Sequence, residues 1–287
     1  DENNPEFSYA AEFVTHTSRM LYLTGRAGTG KTTFLKYLKA TCNKNMVVLA
    51  PTGVASVNAG GQTIHSFFNI KPSVYVPGDK RLRVRAPEGD PDKSVISDHF
   101  RYHRDKLEII RGLELLVIDE ISMVRCDLLD VIDRLLRVFR KREFTPFGGV
   151  QVVLIGDTFQ LPPIVNHDDW NILGNFYTSP FFFNSRALQA QKPVYIELKK
   201  IYRQKDQDFI DLLNRIRINS LMAGDIEMLN HRYMHGFIPE QEEDYIILAT
   251  HNRLVEETNE KRLREIDEPL FHFEATVEGI FSESSFP

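Results

Sequence analysis

A doubly wound α/β fold on a mostly parallel sheet is what this sequence predicts, on three observations. Short apolar runs, MLYLT (20–24), MVVLA (46–50), LLVI (115–118) and QVVLI (151–155), carry no polar alternation, the mark of strands buried on both faces. Helical spacing lies between two of them: Leu128, Ile132, Leu135, Leu136 and Phe139 recur at three- and four-residue steps, a stripe that packs on a sheet. A glycine-rich turn, GRAGTGKT (25–32), follows the first run and opens a helical pattern. Strands alternating with helices in this way give a layered α/β domain.

At 287 residues the chain exceeds one average domain, so a large core with a second domain or an insertion is expected. Hydrophobic residues at 42% and charged residues at 26% are ordinary globular values. No apolar run approaches the ~18 residues of a membrane span. The acidic, polar start DENNPEFSYAAEF lacks the basic and apolar regions of a signal peptide, and an intracellular protein is expected. Cys42 and Cys126 stand far apart with no CxxC or His pairing, which supports neither a disulfide framework nor a zinc site. A net charge of −5 gives no global basic field, so any nucleic-acid contact must come from a local groove.

The pattern breaks between 70 and 98, where Pro72, Pro77, Pro87 and Pro91 forbid a long helix and disfavour a central strand. This stretch is read as a small Pro-rich insertion. Within it RLRVR places Arg81, Arg83 and Arg85 two apart, on one face if extended, as a solvated edge ribbon or a nucleic-acid contact. A second, incomplete unit is expected from 191 to 287, with strand VYIEL (194–198), a helix carrying Phe209, Leu212, Leu213 and Ile216, and strand YIILA (245–249). The first domain then comprises 1–69 and 99–190. From Asp267 to Pro287 little periodicity is visible.

GRAGTGKT matches GxxxxGK[ST], with a strand before it and a helix after it. Gly25, Ala27, Gly28, Thr29, Gly30, Lys31, Thr32 and Thr33 supply a turn whose backbone N–H groups face a phosphate, backed by the positive end of the following helix. Lys31 adds a point charge at the β and γ phosphates, and Thr32 a hydroxyl for Mg2+. LLVIDE ends at the carboxyl edge of the sheet, where open α/β folds bind ligands. Asp119 suits the magnesium shell, and Glu120 suits orienting and deprotonating the attacking water. QVVLI runs into GDTFQLPPI, so Gly156, Asp157 and Gln160 leave the sheet beside the γ-phosphate, with Gln160 as its amide sensor. Together these residues point to an ATP- and magnesium-dependent hydrolase. A regulatory GTPase would need NKxD, and Asn43-Lys44-Asn45-Met46 lacks the aspartate. A small-molecule kinase shares the fold, but the Asp119-Glu120 pair and GDTFQLPP favour hydrolysis.

In chain order, GRAGTGKT, APTGVASVNAGGQTIHSFF (50–68), LLVIDEISM and GDTFQLPPI resemble the motifs of superfamily 1 helicases. SPFFFNS followed by LKKIYRQ is similar to the Pif-type (petite integration frequency) branch, relatives of RecD. The likeness runs from about Leu21 to about Leu263. It implies a RecA-like P-loop fold with part of a second RecA-like domain, the 70–98 insertion acting as a wedge, and a 5′-to-3′ DNA helicase motor driven by ATP and Mg2+. Single-stranded DNA and duplex junctions are the implied partners, and a monomer is favoured. Carried over by motif, Thr52, Thr63 and His65 touch the strand, and Arg203 of LKKIYRQ is an arginine finger reaching across the cleft from the second motor domain. Arg215 and Arg217 nearby read as surface charge, a reading Arg203 shares. The phenylalanines 181–183 read as a seal between the two halves. Two features depart from the family pattern. No glutamine precedes the P-loop, Gln62 being the first in the chain, which leaves adenine reading unassigned. The chain also ends before any strand resembling the late helicase motifs, so a truncated form is expected, and a non-enzymatic DNA-binding fragment stays an alternative.

Overall fold

The computed structural model describes residues 4–204, 206–237, 245–269, 271 and 274. Helix α1 (Pro5–His16) leads into β1 (Leu21–Gly25) and α2 (Lys31–Thr41), then β2 (Met46–Ala50), α3 (Gly53–Ala59), β3 (Gln62–Thr63) and α4 (Ile64–Phe68). After a long loop come α5 (Ile96–His99), α6 (Arg104–Gly112), β4 (Leu115–Ile118), α7 (Cys126–Phe139) and β5 (Gln151–Ile155). Then follow α8 (His167–Leu173), α9 (Arg186–Ala190), β6 (Val194–Leu198), α10 (Gln207–Arg217), α11 (Asp225–Asn230) and α12 (Asn252–Arg264). The chain falls into two compact units, Asp1–Asp225 and Ile226–Pro287.

All six strands join one parallel sheet in the order β3-β2-β4-β5-β1-β6. Successive residues of a strand feed opposite cores. Leu116, Ile118, Val152 and Leu154 pack with α4 and α7 on one side, while Leu115, Val117, Val153, Ile155, Leu21 and Leu23 pack with α1 and α2 on the other. That two-sided burial is why the runs lack alternation. No helix among the described residues is long and apolar enough to cross a membrane.

Three expectations need correction. VYIEL does not open a second unit: as β6 it pairs with β1 along its whole length, from Leu21↔Val194 to Gly25↔Leu198. It is the edge strand of the first sheet and only its last residue is buried, and this half-covered pattern differs from that of the central strands. YIILA is not a strand. Tyr245, Ile246, Ile247 and Leu248 are 55%, 86%, 56% and 90% exposed, and no strand among the described residues offers them ladder bonds, without which an apolar run has no reason to extend. The 70–98 stretch is not an extended ribbon either. It turns through a single 3-10 turn at Lys80–Leu82, and Ile70, Tyr75 and Ile96 anchor it in the core beside α7.

The helix expected at 209–216 is α10. Most of the Asp267–Pro287 tail lies outside the described residues. The triplet at 181–183 lies within the first compact unit. Phe182 is buried in the main core with its ring edge-on to Tyr22 at 5.3 Å, whereas Phe181 and Phe183 stack in parallel at 5.3 Å. Phe182→Ala is expected to cost about 3–5 kcal/mol of stability in denaturant unfolding. Phe183→Ala, at a half-exposed site, should cost less than about 1 kcal/mol; equal losses would show that Phe182 is not the anchor.

Candidate active site

Strand β1 delivers the chain into the glycine-rich turn, and α2 starts at Lys31 with Gly30 as its cap in the left-handed region. Lys31 Nζ donates to the carbonyls of Gly25 (2.6 Å) and Arg26 (3.1 Å), so the ammonium lies folded over the loop. Thr29 is fully buried and pins the loop by donating to Arg26 O at 2.8 Å. Gly28 has φ +77°, and a Cβ there would stand 2.6 Å from Cβ of Arg203. Only glycine lets the loop meet the segment after β6 so closely, and Tyr202 N donates to Gly28 O at 2.8 Å.

Strand β4 carries Asp119 and Glu120 to the same sheet edge, with Asp119 N bonded to Leu49 O at 2.8 Å. Glu120 holds a left-handed backbone (φ 49°) and donates its N–H to Asp119 Oδ1 at 3.0 Å. A non-glycine residue kept there stores strain of the kind that gathers at functional sites. Burial pushes the Asp119 carboxyl up from its ordinary value. Burial, reinforced by Asp119, does the same to Glu120. Burial pulls the Lys31 ammonium down, against the opposing pull of Asp157, Glu120 and Asp119. A half-buried ammonium among carboxylates is primed for a partner of high negative charge.

Beyond β5, Asp157 accepts from Phe159 N at 3.1 Å and from Gln160 Nε2 at 3.4 Å. Gln160 lines a cleft of about 870 Å3 together with Asn4, Phe7, the loop from Ala27 to Thr33, Glu120, Tyr202 and Arg203. That volume suits a nucleotide-sized ligand. Thr32 lines the same cleft and Asp119 lies beside Glu120, and one hydroxyl with one carboxylate is the kind of donor set magnesium takes when phosphates and water complete its shell. Arg203 lies inside the first compact unit and against the phosphate loop, not on a separate domain across the cleft. Its backbone follows β6, and the pairing of β6 with β1 brings it there.

The DNA-contact candidates divide. Thr52 and Thr63 cap α3 and α4, their Oγ1 atoms accepting from Ala55 N and Ser66 N at 3.2 Å. His65 is half-buried, and burial, then Arg125, lowers its pKa. Arg81 and Arg83 are not free to line one face. Arg81 is paired with Asp79 and stacked 4.0 Å above the Tyr75 ring, and Arg83 binds Asp90 at 2.7 Å and Ser94 O at 2.8 Å. The aspartates of the same loop neutralise them, which spacing alone does not reveal. Arg85 is exposed.

The parallel sheet and this cleft define a P-loop nucleotide-binding domain of the RecA-like class. A family profile described as PIF1-like helicase matches residues 7–226, and the chain belongs to that family. It is 34% identical over 265 residues to the Saccharomyces cerevisiae ATP-dependent DNA helicase RRM3, covering 89% of this chain and 33% of that one. It is 33% identical over 261 residues to human ATP-dependent DNA helicase PIF1, covering 89% and 36%. The structure of Bacteroides Pif1 helicase in complex with ADP-AlF3 and ssDNA superposes with a TM-score of 0.82 at 36% identity, over 98% of this chain and 61% of that one. Candida albicans Pif1 helicase gives 0.75 at 28% identity, over 97% and 58%. The chain thus spans about a third of the length of these curated relatives.

Sequence reasoning missed Asn4, Phe7 and Tyr202 as lining residues and assigned Arg217 to the surface. Asn4 was findable, since Asn-Pro ahead of an apolar stripe is a helix-start signal. It caps α1 and donates Nδ2 to Tyr202 OH at 3.0 Å. Arg217 pairs with Asp157, 60 positions away, and no local pattern announces that.

Lys31→Ala is expected to weaken ATP binding at least about tenfold, the value of one charge-assisted hydrogen bond, with an unchanged circular dichroism spectrum. Unaltered affinity in a nucleotide titration would contradict the phosphate-loop assignment. Glu120→Gln should retain ATP while slowing turnover about 10²- to 10⁴-fold, as loss of a general base does; normal hydrolysis by that variant would assign Glu120 another role.

Proposed function

We propose that this chain is the ATPase motor core of a 5′-to-3′ DNA helicase, coupling hydrolysis to movement on single-stranded DNA and to duplex unwinding. The observation that carries it is the convergence of Lys31, Thr32, Glu120, Gln160 and Arg203 on one cleft, with Asp119 beside Glu120. The names of the relatives and the DNA-bound solved neighbours support the coupling. In this reading the first RecA-like domain runs through β6, the 70–98 loop is the wedge, and residues beyond α10 contribute to a second motor domain.

Lys31 leaves the loop carbonyls to meet the β and γ phosphates. Thr32 and Asp119 hold magnesium, which when bound neutralises phosphate charge. Glu120 orients a water for in-line attack and takes its proton, its raised affinity for a proton suiting that task. Gln160 hydrogen-bonds the γ-phosphate or that water, and Arg203 stabilises charge that develops in the transition state. Thr52 and Thr63 accept cap bonds yet keep their hydroxyl protons to donate to DNA phosphates. His65, held neutral, binds as a dipole and releases no counterion, while Arg85 contacts phosphate as a cation.

ATP turnover by this chain with and without single-stranded DNA tests the reading. Stimulation by the strand is expected; turnover indifferent to DNA, with no DNA binding by anisotropy, would sink it. Polarity is read by unwinding substrates with a 5′ or a 3′ tail. His65→Ala should weaken single-strand binding without altering its salt slope, whereas Arg85→Ala should reduce the slope by about 0.7. A slope change in the histidine variant would show a charged imidazole.

A further inference from the structure

Arg217, the last residue of α10, makes a two-pronged pair with Asp157: Nη2 to Oδ1 at 2.8 Å and Nε to Oδ2 at 3.0 Å. The Asp157 side chain is 1% exposed and that of Arg217 18%. The guanidinium also lies 4.1 Å above the Phe159 ring. Asp157 in turn accepts from Phe159 N and Gln160 Nε2. One cation thus fixes the carboxylate, the aromatic ring and, through the carboxylate, the amide of the sensor loop.

The charge balance of the cleft gives that pair a consequence. Lys31 faces three carboxylates, and Asp157 exerts the largest pull of the three. Left unpaired, Asp157 would hold Lys31 and repel the phosphate nearest to it. Arg217 cancels it: burial pushes the Asp157 carboxyl up, yet the Arg217 bonds bring it below the ordinary carboxylate value. Asp157 therefore stays ionised and its charge is spent on Arg217. A bidentate guanidinium does this with fixed geometry, which a lysine cannot reproduce.

We propose that Arg217 is a positioning residue for ATP turnover: it neutralises Asp157 so that Lys31 is released to the γ-phosphate, and it sets the sensor loop that carries Gln160. The inference rests on the ATPase reading above and gives that site a residue outside the recognised motifs. Two separable effects follow. Charge neutralisation governs affinity for ATP relative to ADP, because the γ-phosphate bears the additional charge. The forked geometry governs turnover through Gln160.

The test uses the 287-residue chain and measures ATP and ADP affinity and single-strand-stimulated turnover. Arg217→Ala is expected to weaken ATP at least about tenfold, as removing one partner of a buried charge pair does, and ADP distinctly less. Arg217→Lys should keep the ATP-to-ADP ratio near that of the parent and still lose turnover by about 10²-fold, the effect of a small misplacement. Adding Asp157→Asn to Arg217→Ala removes the uncompensated charge and should return ATP affinity to within about threefold of the parent, inside the scatter of one charge-assisted bond. A merely structural arginine would lower the melting temperature while leaving the ATP-to-ADP ratio unchanged, and that result overturns the proposal. So does a double variant whose ATP affinity is not restored, since Arg217 would then be touching phosphate itself. If Arg217→Ala fails to fold, the lysine variant alone decides, with unchanged turnover refuting the role. A parent chain that binds no ATP would instead refute the ATPase reading.

Discussion

The arrangement depends on one half-buried ammonium. Lys31 sits at the start of α2, bonded to carbonyls of its own loop and facing Asp157, Glu120 and Asp119. A cation so placed is costly unless something of opposite charge pairs with it, and three carboxylates so close together repel one another. Each neighbouring feature relieves part of that conflict. Arg217 takes Asp157, in the proposed function Asp119 would be taken up by magnesium, and the raised proton affinity of Glu120 lessens its share. The remaining demand is for phosphate at Lys31.

The sheet determines that these groups meet. In a parallel sheet every strand ends at the same edge, so β1, β4 and β5 deliver the phosphate loop, the acidic pair and the sensor loop side by side. Register holds them there, with Leu21 opposite Val153 and Val117 opposite Val153 in neighbouring ladders. A shift of one residue would exchange the faces of Val153 and Leu154, which belong to different cores, so the packing of α1, α2 and α7 guards the alignment of the acids with Lys31. Strand β6 extends the same logic and carries Tyr202 and Arg203 onto Gly28.

What the sequence disclosed follows from range. GRAGTGKT, the DE pair after LLVI and the sensor loop after QVVLI are local, since each is a strand end with chemistry attached, and their geometry is implied once the strand is recognised. The central strands were legible because burial on both faces leaves an unbroken apolar run. VYIEL is the strand its residues predict, and only its place in a second unit is wrong, because nothing local names β1 as its partner; YIILA fails the rule itself, being apolar yet exposed. Arg81, Arg83 and Arg217 show the other limit. A guanidinium looks alike in sequence whether it faces solvent, Asp79, Asp90 or an aspartate 60 positions away, and only the fold distinguishes these cases.

The nucleotide cleft and the 50–68 block share a physical connection that is short enough to transmit displacement. Asp119 N is bonded to Leu49 O, and Leu49 pairs with Gln62 in the adjoining ladder, so the acidic pair and the strand ahead of α4 hold the same residue from opposite sides. Two residues beyond Ala50, which pairs with Thr63, Thr52 caps α3. A Cβ at Gly61 would stand 2.2 Å from Val48 O, a closeness that leaves the block no slack against β2. Packed elements of this kind shift as bodies and do not deform continuously. In the proposed function a displacement of Asp119 would therefore load β2, and β2 would carry Thr52 and Thr63 with it. In the proposed function this is a covalent and hydrogen-bonded route from phosphate chemistry to the strand of DNA, and it lies within the first compact unit.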